Sequence, residues 1–317
     1  MRVPVGSYAP PTRAARGLSQ RERRTGWSLH QREVGLAWLL LTPVLLVMAL
    51  LLVWPFATSV WISFTNKSVG TAGDFVGFAN FQALLASPRF FKALQNSLVF
   101  TVSAVSAKYI LGMLMALILN QAFRGRNVLR ALFLVPWVLP GFVAYINWRW
   151  LYDPLQGVLS YALTDLHIVD LPIDFLSNPD VAMVSVIIAD VWRGFPFFGL
   201  SLLAGLQNIP QEQYEAAAVD GANSWQRFRA ITLPGLRYVS LVVLMLATIW
   251  TFNAFEPIYI LTKGGPADAT LVYTMLAYET GIQSFDLGRA SAVSVFILPV
   301  LGLFIVVLSG LMHRGED

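Results

Sequence analysis

Six runs of apolar residues constrain the fold of this chain more than any other feature of its sequence. A helix needs about 20 mainly apolar residues to cross the ~30 Å hydrocarbon core of a bilayer, and it pairs its backbone polar groups internally, as lipid requires. The sequence therefore predicts an all-α membrane protein with six transmembrane helices. The first run is too long for a signal peptide, so it is predicted to be an uncleaved span. The runs cover residues 36–61, 94–119, 131–151, 181–206, 238–260 and 290–312.

The composition agrees with a membrane protein and excludes several kinds of site. Only 13% of the 317 residues are charged, against about 25% in soluble domains. The chain contains no cysteine, which excludes disulfides, thiolate zinc sites and iron–sulfur clusters. Its three histidines lie in separate segments without ligand spacing. We therefore predict no catalytic residue, no metal site and no cofactor on this chain.

Lysine and arginine are distributed unevenly about the six runs, which predicts how the chain is oriented. Counted on alternating sides, 14 of them fall on the side of the two termini and five on the other. Loops rich in these residues stay in the cytoplasm. Both termini are thus predicted to be cytoplasmic, with a basic tail over residues 1–35, a six-span domain over 36–312 and a short tail over 313–317. The net charge of +4 belongs to this pattern, so no nucleic-acid partner is predicted.

The loop over residues 207–237 lies on the predicted cytoplasmic side and has the pattern of two short helices joined by a turn. Residues 211–219 are rich in good helix formers. Gly221 can end this helix in a left-handed conformation, and Asn223 or Ser224 can cap a second one. Three consecutive alanines leave a smooth surface on the first helix. We interpret the loop as a docking element for another protein.

The residues of this loop resemble the EAA loop of ABC-importer permeases in type, spacing and position between the fourth and fifth spans. The matching residues are Glu215, Ala216, Ala217, Asp220, Gly221, Ala222, Gln226, Phe228 and Ile231-Thr-Leu-Pro234. Two further stretches, Phe252-Asn-Ala-Phe255 and Ile260-Leu-Thr-Lys-Gly-Gly-Pro266, are similar to the first permease subunit of maltose-type and glycerol-phosphate-type importers.

This resemblance implies a type I ABC importer permease fold in a bacterial or archaeal plasma membrane, and a substrate that is a sugar, an oligosaccharide or a related polyol. It also implies a second homologous permease subunit, two cytoplasmic ATPase subunits and an external solute-binding protein. The EAA helix, with Glu215, Ala216, Ala217, Asp220, Gly221 and Ala222, is then expected to dock in a cleft of an ATPase subunit. This chain has no Walker motif, so ATP and magnesium are expected on that partner.

Ionisable residues inside the runs need an explanation, because a charge at the centre of a membrane helix costs about 2.5 to 3.5 kcal/mol. They are Lys108, Arg149, Asp190, Arg193 and Glu256. Asp190 and Arg193 are three residues apart and share a helix face, so they can form an ion pair. Alternatively, Arg193 faces a substrate pathway together with Gly194 and Phe197. Arg149 is interpreted as an interfacial anchor, and Lys108 has no identified partner.

The fifth run combines aromatic and hydrogen-bonding residues in its second half: Trp250, Thr251, Asn253 and Glu256. Sugars are bound by such a mixture, because their ring faces are apolar and their hydroxyls need polar partners. These four residues are candidates for the substrate pathway, and an ordinary polar contact between helices is the alternative.

A different class of transporter remains open from the residues alone. An ion-coupled secondary transporter could use Asp190 and Glu256 as proton or cation sites. A membrane enzyme would need a nucleophile with its base, or a set of metal ligands, and no such set is present in the sequence.

Overall fold

The computed structural model describes residues 29–169 and 172–313, and its regular elements are helices. Three further segments, Ala49–Val53, Phe228–Thr232 and Glu279–Gln283, have π-helical hydrogen bonding. Among the described residues, extended pairing is limited to two isolated bridges. The α-helices are α1 (Leu29–Met48), α2 (Trp54–Ser63), α3 (Ala79–Leu85), α4 (Pro88–Asn120), α5 (Arg126–Val138), α6 (Gly141–Leu151), α7 (Val158–Asp165), α8 (Pro179–Gln207), α9 (Gln211–Val219), α10 (Ser224–Arg227), α11 (Leu233–Gly235), α12 (Arg237–Phe252), α13 (Glu256–Leu261), α14 (Tyr273–Tyr278) and α15 (Leu287–His313).

The described residues up to Thr58 belong to a compact unit of their own. Helix α1 begins at Leu29, ahead of the start predicted for the first span, and the side chains from 33 to 57 are all exposed. The hydroxyls of Thr42 and Thr58 bond back to carbonyls one turn earlier, so they add no unpaired polar group. Such a helix requires an apolar environment around it. The rest of the predicted amino-terminal tail, and residues 314–317 of the carboxyl-terminal tail, lie outside the described residues.

The second unit is built on the long helices α4 and α8, which pack against each other. Both begin with a capping side chain followed by proline at the first helical position: Ser87 precedes α4 and Asn178 precedes α8. Glycines bring the two backbones close, since a Cβ at Gly112 would overlap Phe198 and one at Gly199 would overlap Met115. Small residues have this role in many membrane helix pairs.

Apolar side chains of the second unit form two clusters that follow one another along α4 and α8. One cluster contains Phe90, Phe100 and Val186, whereas the other contains Met115 and Leu202. On α8 the change from one cluster to the other falls between residues 189 and 198, the stretch that carries Asp190 and Arg193. A polar layer thus separates two apolar regions.

Two of the predicted spans are interrupted in the structure. The third is divided between α5 and α6, which meet at an angle of 94°, because Pro140 has no N–H to continue the helix. The fifth ends as a regular helix at Phe252 and resumes at Glu256, where Pro257 occupies the first turn of α13. Hydropathy averages over a window, so it does not detect a break of two or three residues.

By length and composition, three described helices can cross a membrane, and up to five if each bent pair counts as one span. The three are Glu33–Ser63, Pro88–Asn120 and Pro179–Gln207, and the bent pairs are α5 with α6 and α10–α11 with α12. In the last helix, the apolar stretch is Leu287–Leu303, which is shorter than the 18 residues required of a spanning helix by this criterion. The fold is therefore an all-helical membrane fold with three to five spans by this criterion.

A loop between α13 and α14 is fastened to the first turns of α4. The guanidinium of Arg89 makes two hydrogen bonds of 2.8 Å to the carboxylate of Asp268, and it lies 2.8 Å from a carboxylate oxygen of Glu279. Asn96 donates to the backbone carbonyls of Asp268 and Leu271. The hydrogen bonds from Arg89 lower the pKa of the Asp268 carboxyl.

Candidate functional site

The polar layer lies beside a cavity of about 190 Å³ formed by α4, α5, α6, α8, α12 and α13. Six of the seven residues proposed from the sequence for the substrate pathway line it: Arg193, Gly194, Phe197, Trp250, Thr251 and Glu256. Asn253 does not. Its side-chain oxygen accepts a hydrogen bond from the Tyr273 hydroxyl, and its amide donates to the Ile249 carbonyl 2.8 Å away. Asn253 therefore stabilises the break between α12 and α13 instead of facing this cavity.

A buried ion pair forms one wall of the cavity. The Lys108 ammonium lies 2.6 Å from a carboxylate oxygen of Asp190, and the two residues are only 6% and 7% exposed. Lys108 also donates to the Thr251 hydroxyl at 3.2 Å, and the Tyr145 hydroxyl donates to Asp190 at 3.0 Å. These contacts join α4, α6, α8 and α12 at one point.

Asp190 is therefore paired with Lys108, and the ion pair with Arg193 considered from the sequence is not the one that forms. Gly194 makes room for the pairing that does form. A Cβ at this position would lie 2.6 Å from Cε of Lys108, so the glycine leaves the space through which the lysine reaches Asp190. The sequence drew attention to Lys108 as a charge inside a span, but it contained no signal for Tyr145, the other partner of Asp190.

Arg193 and Glu256 add a guanidinium and a second carboxylate to the lining of the cavity. Nε of Arg193 is buried without a hydrogen-bond partner, and the guanidinium carbon lies 5.9 Å from the ring centroid of Tyr145. The carboxylate of Glu256 lies against Gly141, the first residue of α6, where a Cβ would overlap it. The amino-terminal end of a helix attracts negative charge, so this position suits a carboxylate.

Aromatic rings also line the cavity. The centroids of Phe197 and Trp250 are 5.3 Å apart, and those of Phe197 and Trp137 are 6.5 Å apart in a stacked arrangement. Trp250 is 57% exposed, so much of its ring is free to contact a ligand. A cavity that combines aromatic rings with a guanidinium, a hydroxyl and a carboxylate is suited to a ligand with apolar ring faces and several hydroxyls.

The loop between α8 and α12 presents an exposed helix. Helix α9 contains Glu215, Ala216 and Ala217 and has no buried residue. It ends at Asp220, and Gly221 follows with a φ of +79°, as its helix-ending role predicts. The sequence left two candidates for the next cap, and the structure selects Asn223, which forms a reciprocal capping box with Gln226. All six residues proposed for docking therefore lie on, or directly after, an accessible helix.

A helical membrane bundle with a polar cavity in its interior is typical of membrane permeases. Residues 108–314 match the family of binding-protein-dependent transport system inner membrane components. The chain belongs to this family and is therefore a permease subunit of an ABC importer in the inner membrane.

Known relatives match this chain over most of its length. The trehalose/maltose transport system permease protein MalF of Thermococcus litoralis is 38% identical over 88% of this chain and 95% of its own. The inner membrane ABC transporter permease protein YcjO of Escherichia coli is 35% identical over 86% of this chain and 92% of its own. A chain in the crystal structure of a bacterial alginate ABC transporter superposes with a TM-score of 0.79 at 22% identity, covering 89% of this chain and 96% of that one. The last comparison shows the shared fold.

Proposed function

We propose that this subunit carries a sugar, an oligosaccharide or a related polyol through the membrane by alternating access. The observation that carries the proposal is the cavity, which the rings of Phe197 and Trp250 line together with the polar side chains of Arg193, Thr251 and Glu256. The name of the trehalose/maltose relative supports the same substrate class. Gly194 belongs to this pathway because it leaves space for Lys108.

The pathway is proposed to be shared with a second, homologous permease subunit. The cavity of about 190 Å³ is smaller than the roughly 300 to 1,000 Å³ typical of ligand sites. A sugar therefore needs space from beyond this chain, which a second subunit facing the cavity would supply. An external solute-binding protein, as the family's description implies, would deliver the substrate.

The movement of the ATPase subunits as they close on ATP is proposed to be transmitted to the membrane helices through α9. Its small, exposed side chains suit a cleft on an ATPase subunit, and two such subunits would serve the two permeases. ATP and magnesium would bind to those subunits. Glu215, Ala216 and Ala217 would contact the cleft directly, whereas Asp220, Gly221 and Ala222 would fix the angle at which the helix is presented.

The proposed topology has six spans and two cytoplasmic termini, with α9 on the cytoplasmic side. The uneven distribution of lysine and arginine supports this orientation. The exposed apolar surface of Glu33–Ser63 supports a first span that contacts lipid or a neighbouring subunit along its length. The bent pair of α5 and α6 would count as the third span, α12 together with α13 as the fifth, and α15 as the sixth.

The relatives of this chain are ABC transport components, and the described contacts of Asp190 do not favour the ion-coupled alternative. A carboxylate that binds a transported cation has to be accessible to it, whereas Asp190 is held by Lys108 and Tyr145. The test is uptake by the complete transporter in liposomes that contain ATP but have no ion gradient. We expect import of the sugar recognised by the binding protein. Uptake that survives without ATP and disappears with an ion gradient would contradict the proposal.

A further inference from the structure

Helix α9 is short and exposed, yet it has to keep a fixed position relative to the membrane helices if it is to transmit movement. It has nine residues and no buried side chain, so its own packing does little to hold it, and isolated helices of this length are marginal in water. Whatever fixes α9 must be a small number of specific contacts.

Two contacts of this kind are present in the described part of the chain, and both reach the segment that leads into α12. Before the helix, Ile209 packs on Gly235, where a Cβ would lie 2.7 Å from its Cδ1. Within the helix, the hydroxyl of Tyr214 lies 3.0 Å from Oγ1 of Thr232. Thr232 is 4% exposed, so this hydrogen bond is shielded from water on one side and is difficult to replace by solvent.

Thr232 occupies an unusual place in the backbone. It is the last residue of the π-helical segment Phe228–Thr232, directly before α11 and the 65° bend into α12. Single π-helical turns are rare and occur frequently at functional sites. If α9 moves and Thr232 moves with it, the movement therefore acts at the bend that leads into a membrane helix.

We propose that the hydrogen bond between Tyr214 and Thr232, here called the Tyr214–Thr232 tether, positions α9 on the start of α12 and transmits its movement to that helix. The turn at Gly221 and the Asn223 capping box fix the connection between α9 and α10. The tether closes this segment into a loop, so that α9, α10 and Phe228–Thr232 move as one body. The inference rests on the proposed docking role of α9.

The test uses the complete transporter in liposomes, with both permeases, the ATPase subunits and the binding protein. Tyr214→Phe removes one hydroxyl and keeps the ring. Thr232→Val removes the other hydroxyl and keeps the shape of the side chain. Thr232→Ser keeps a hydroxyl and is the matched control. The measured quantities are the amount of assembled complex and the number of sugar molecules imported per ATP hydrolysed.

We expect sugar import per ATP to fall about two- to tenfold in Tyr214→Phe and in Thr232→Val, as the loss of one hydrogen bond implies. The double variant should be no worse than either single variant, because both remove the same bond. Thr232→Ser should behave like the wild type. If these residues only support the fold, their replacement would lower the amount of assembled complex. The number of sugar molecules imported per ATP would then be unchanged in the complexes that form.

The tether would be overturned if assembled Tyr214→Phe complexes imported as much sugar per ATP as the wild type. It would also be overturned if the fold-loss in the double variant equalled the product of the fold-losses in the two single variants. These outcomes differ from failure of the proposed function. If the wild-type complex hydrolyses ATP and imports no sugar, the proposed function is contradicted. If the wild type imports sugar and Tyr214→Phe imports as many sugar molecules per ATP as the wild type, only the tether is contradicted.

Discussion

The pairing of Lys108 with Asp190 explains how two charged side chains remain inside an apolar bundle. Each charge alone would cost several kcal/mol in that environment, and the attraction between them offsets this cost only if their geometry is good and other polar groups complete it. Thr251 and Tyr145 supply those groups. Removing one member therefore costs more than the pair itself contributes, because the remaining charge is left buried.

Replacement of Asp190 by alanine tests this. We expect Asp190→Ala to destabilise the protein by about 3 to 5 kcal/mol, the usual cost of leaving one buried charge unpaired. The matched control is Asp180→Ala in the exposed first turn of the same helix, where only a helix-dipole contribution below about 1 kcal/mol is lost. The measurement is thermal unfolding of the purified protein in detergent. Equal decreases in the unfolding temperature of the two variants would contradict the pairing.

The proposed sugar site makes a separate prediction at Trp250. Stacking between aromatic rings contributes about 0.5 to 1.5 kcal/mol beyond area burial, so Trp250→Ala should weaken sugar-dependent transport roughly three- to tenfold. Trp150→Ala is the control, since Trp150 is also exposed but does not line the cavity. Uptake is normalised to assembled complex at several sugar concentrations. An unchanged normalised uptake would remove Trp250 from the site.

At the level of secondary structure, the sequence predicted helices better than it predicted their interruptions. Long apolar runs located α4 and α8, Gly221 located the end of α9, and the sequence narrowed the next cap to Asn223 or Ser224, of which the structure has Asn223. The break at residues 253–255 gave no comparable signal, because a tyrosine 20 residues away satisfies Asn253. The partner of Lys108 was equally hidden, since Asp190 lies on another helix and the sequence offered Arg193 as a nearer cation.

The turn after α9 makes a prediction about backbone conformation. Gly221 has a φ of +79° and Gly70 has a φ of +85°, and a Cβ would meet no other atom at either position. The left-handed conformation costs an ordinary residue roughly 1 to 2 kcal/mol, and more for valine because its side chain is branched at Cβ. We expect Gly221→Val to lower ATP-dependent uptake about tenfold by altering the presentation of α9.

The matched control is Gly70→Val, which introduces the same strain in a loop outside the proposed docking element. Membrane levels of both variants are measured by immunoblotting, and uptake is compared at equal levels. If Gly70→Val lowers uptake as much as Gly221→Val does, general strain accounts for the loss and the special role of this turn is rejected.

For the whole molecule, the proposed orientation in the membrane rests on the distribution of lysine and arginine. The native chain has no cysteine, so single cysteines report their side of the membrane without background. In intact cells, an impermeant thiol reagent should label Ala267→Cys and Gly70→Cys and leave Ser224→Cys unlabelled until the cells are opened. The parent chain provides the control. Labelling of residue 224 in intact cells would reverse the topology and exclude docking of α9 to a cytoplasmic ATPase.

The buried ion pair also has a consequence for synthesis of the chain. Asp190 is translated about 80 residues after Lys108, which at 5 to 20 residues per second is a delay of roughly 4 to 16 s. During that interval α4 holds an uncompensated ammonium group, and only its apolar residues, with a mean hydropathy of 1.9 against 2.7 for the first span, favour its entry into lipid. The charge of Lys108 is therefore compensated by Asp190 only after α8 has been made.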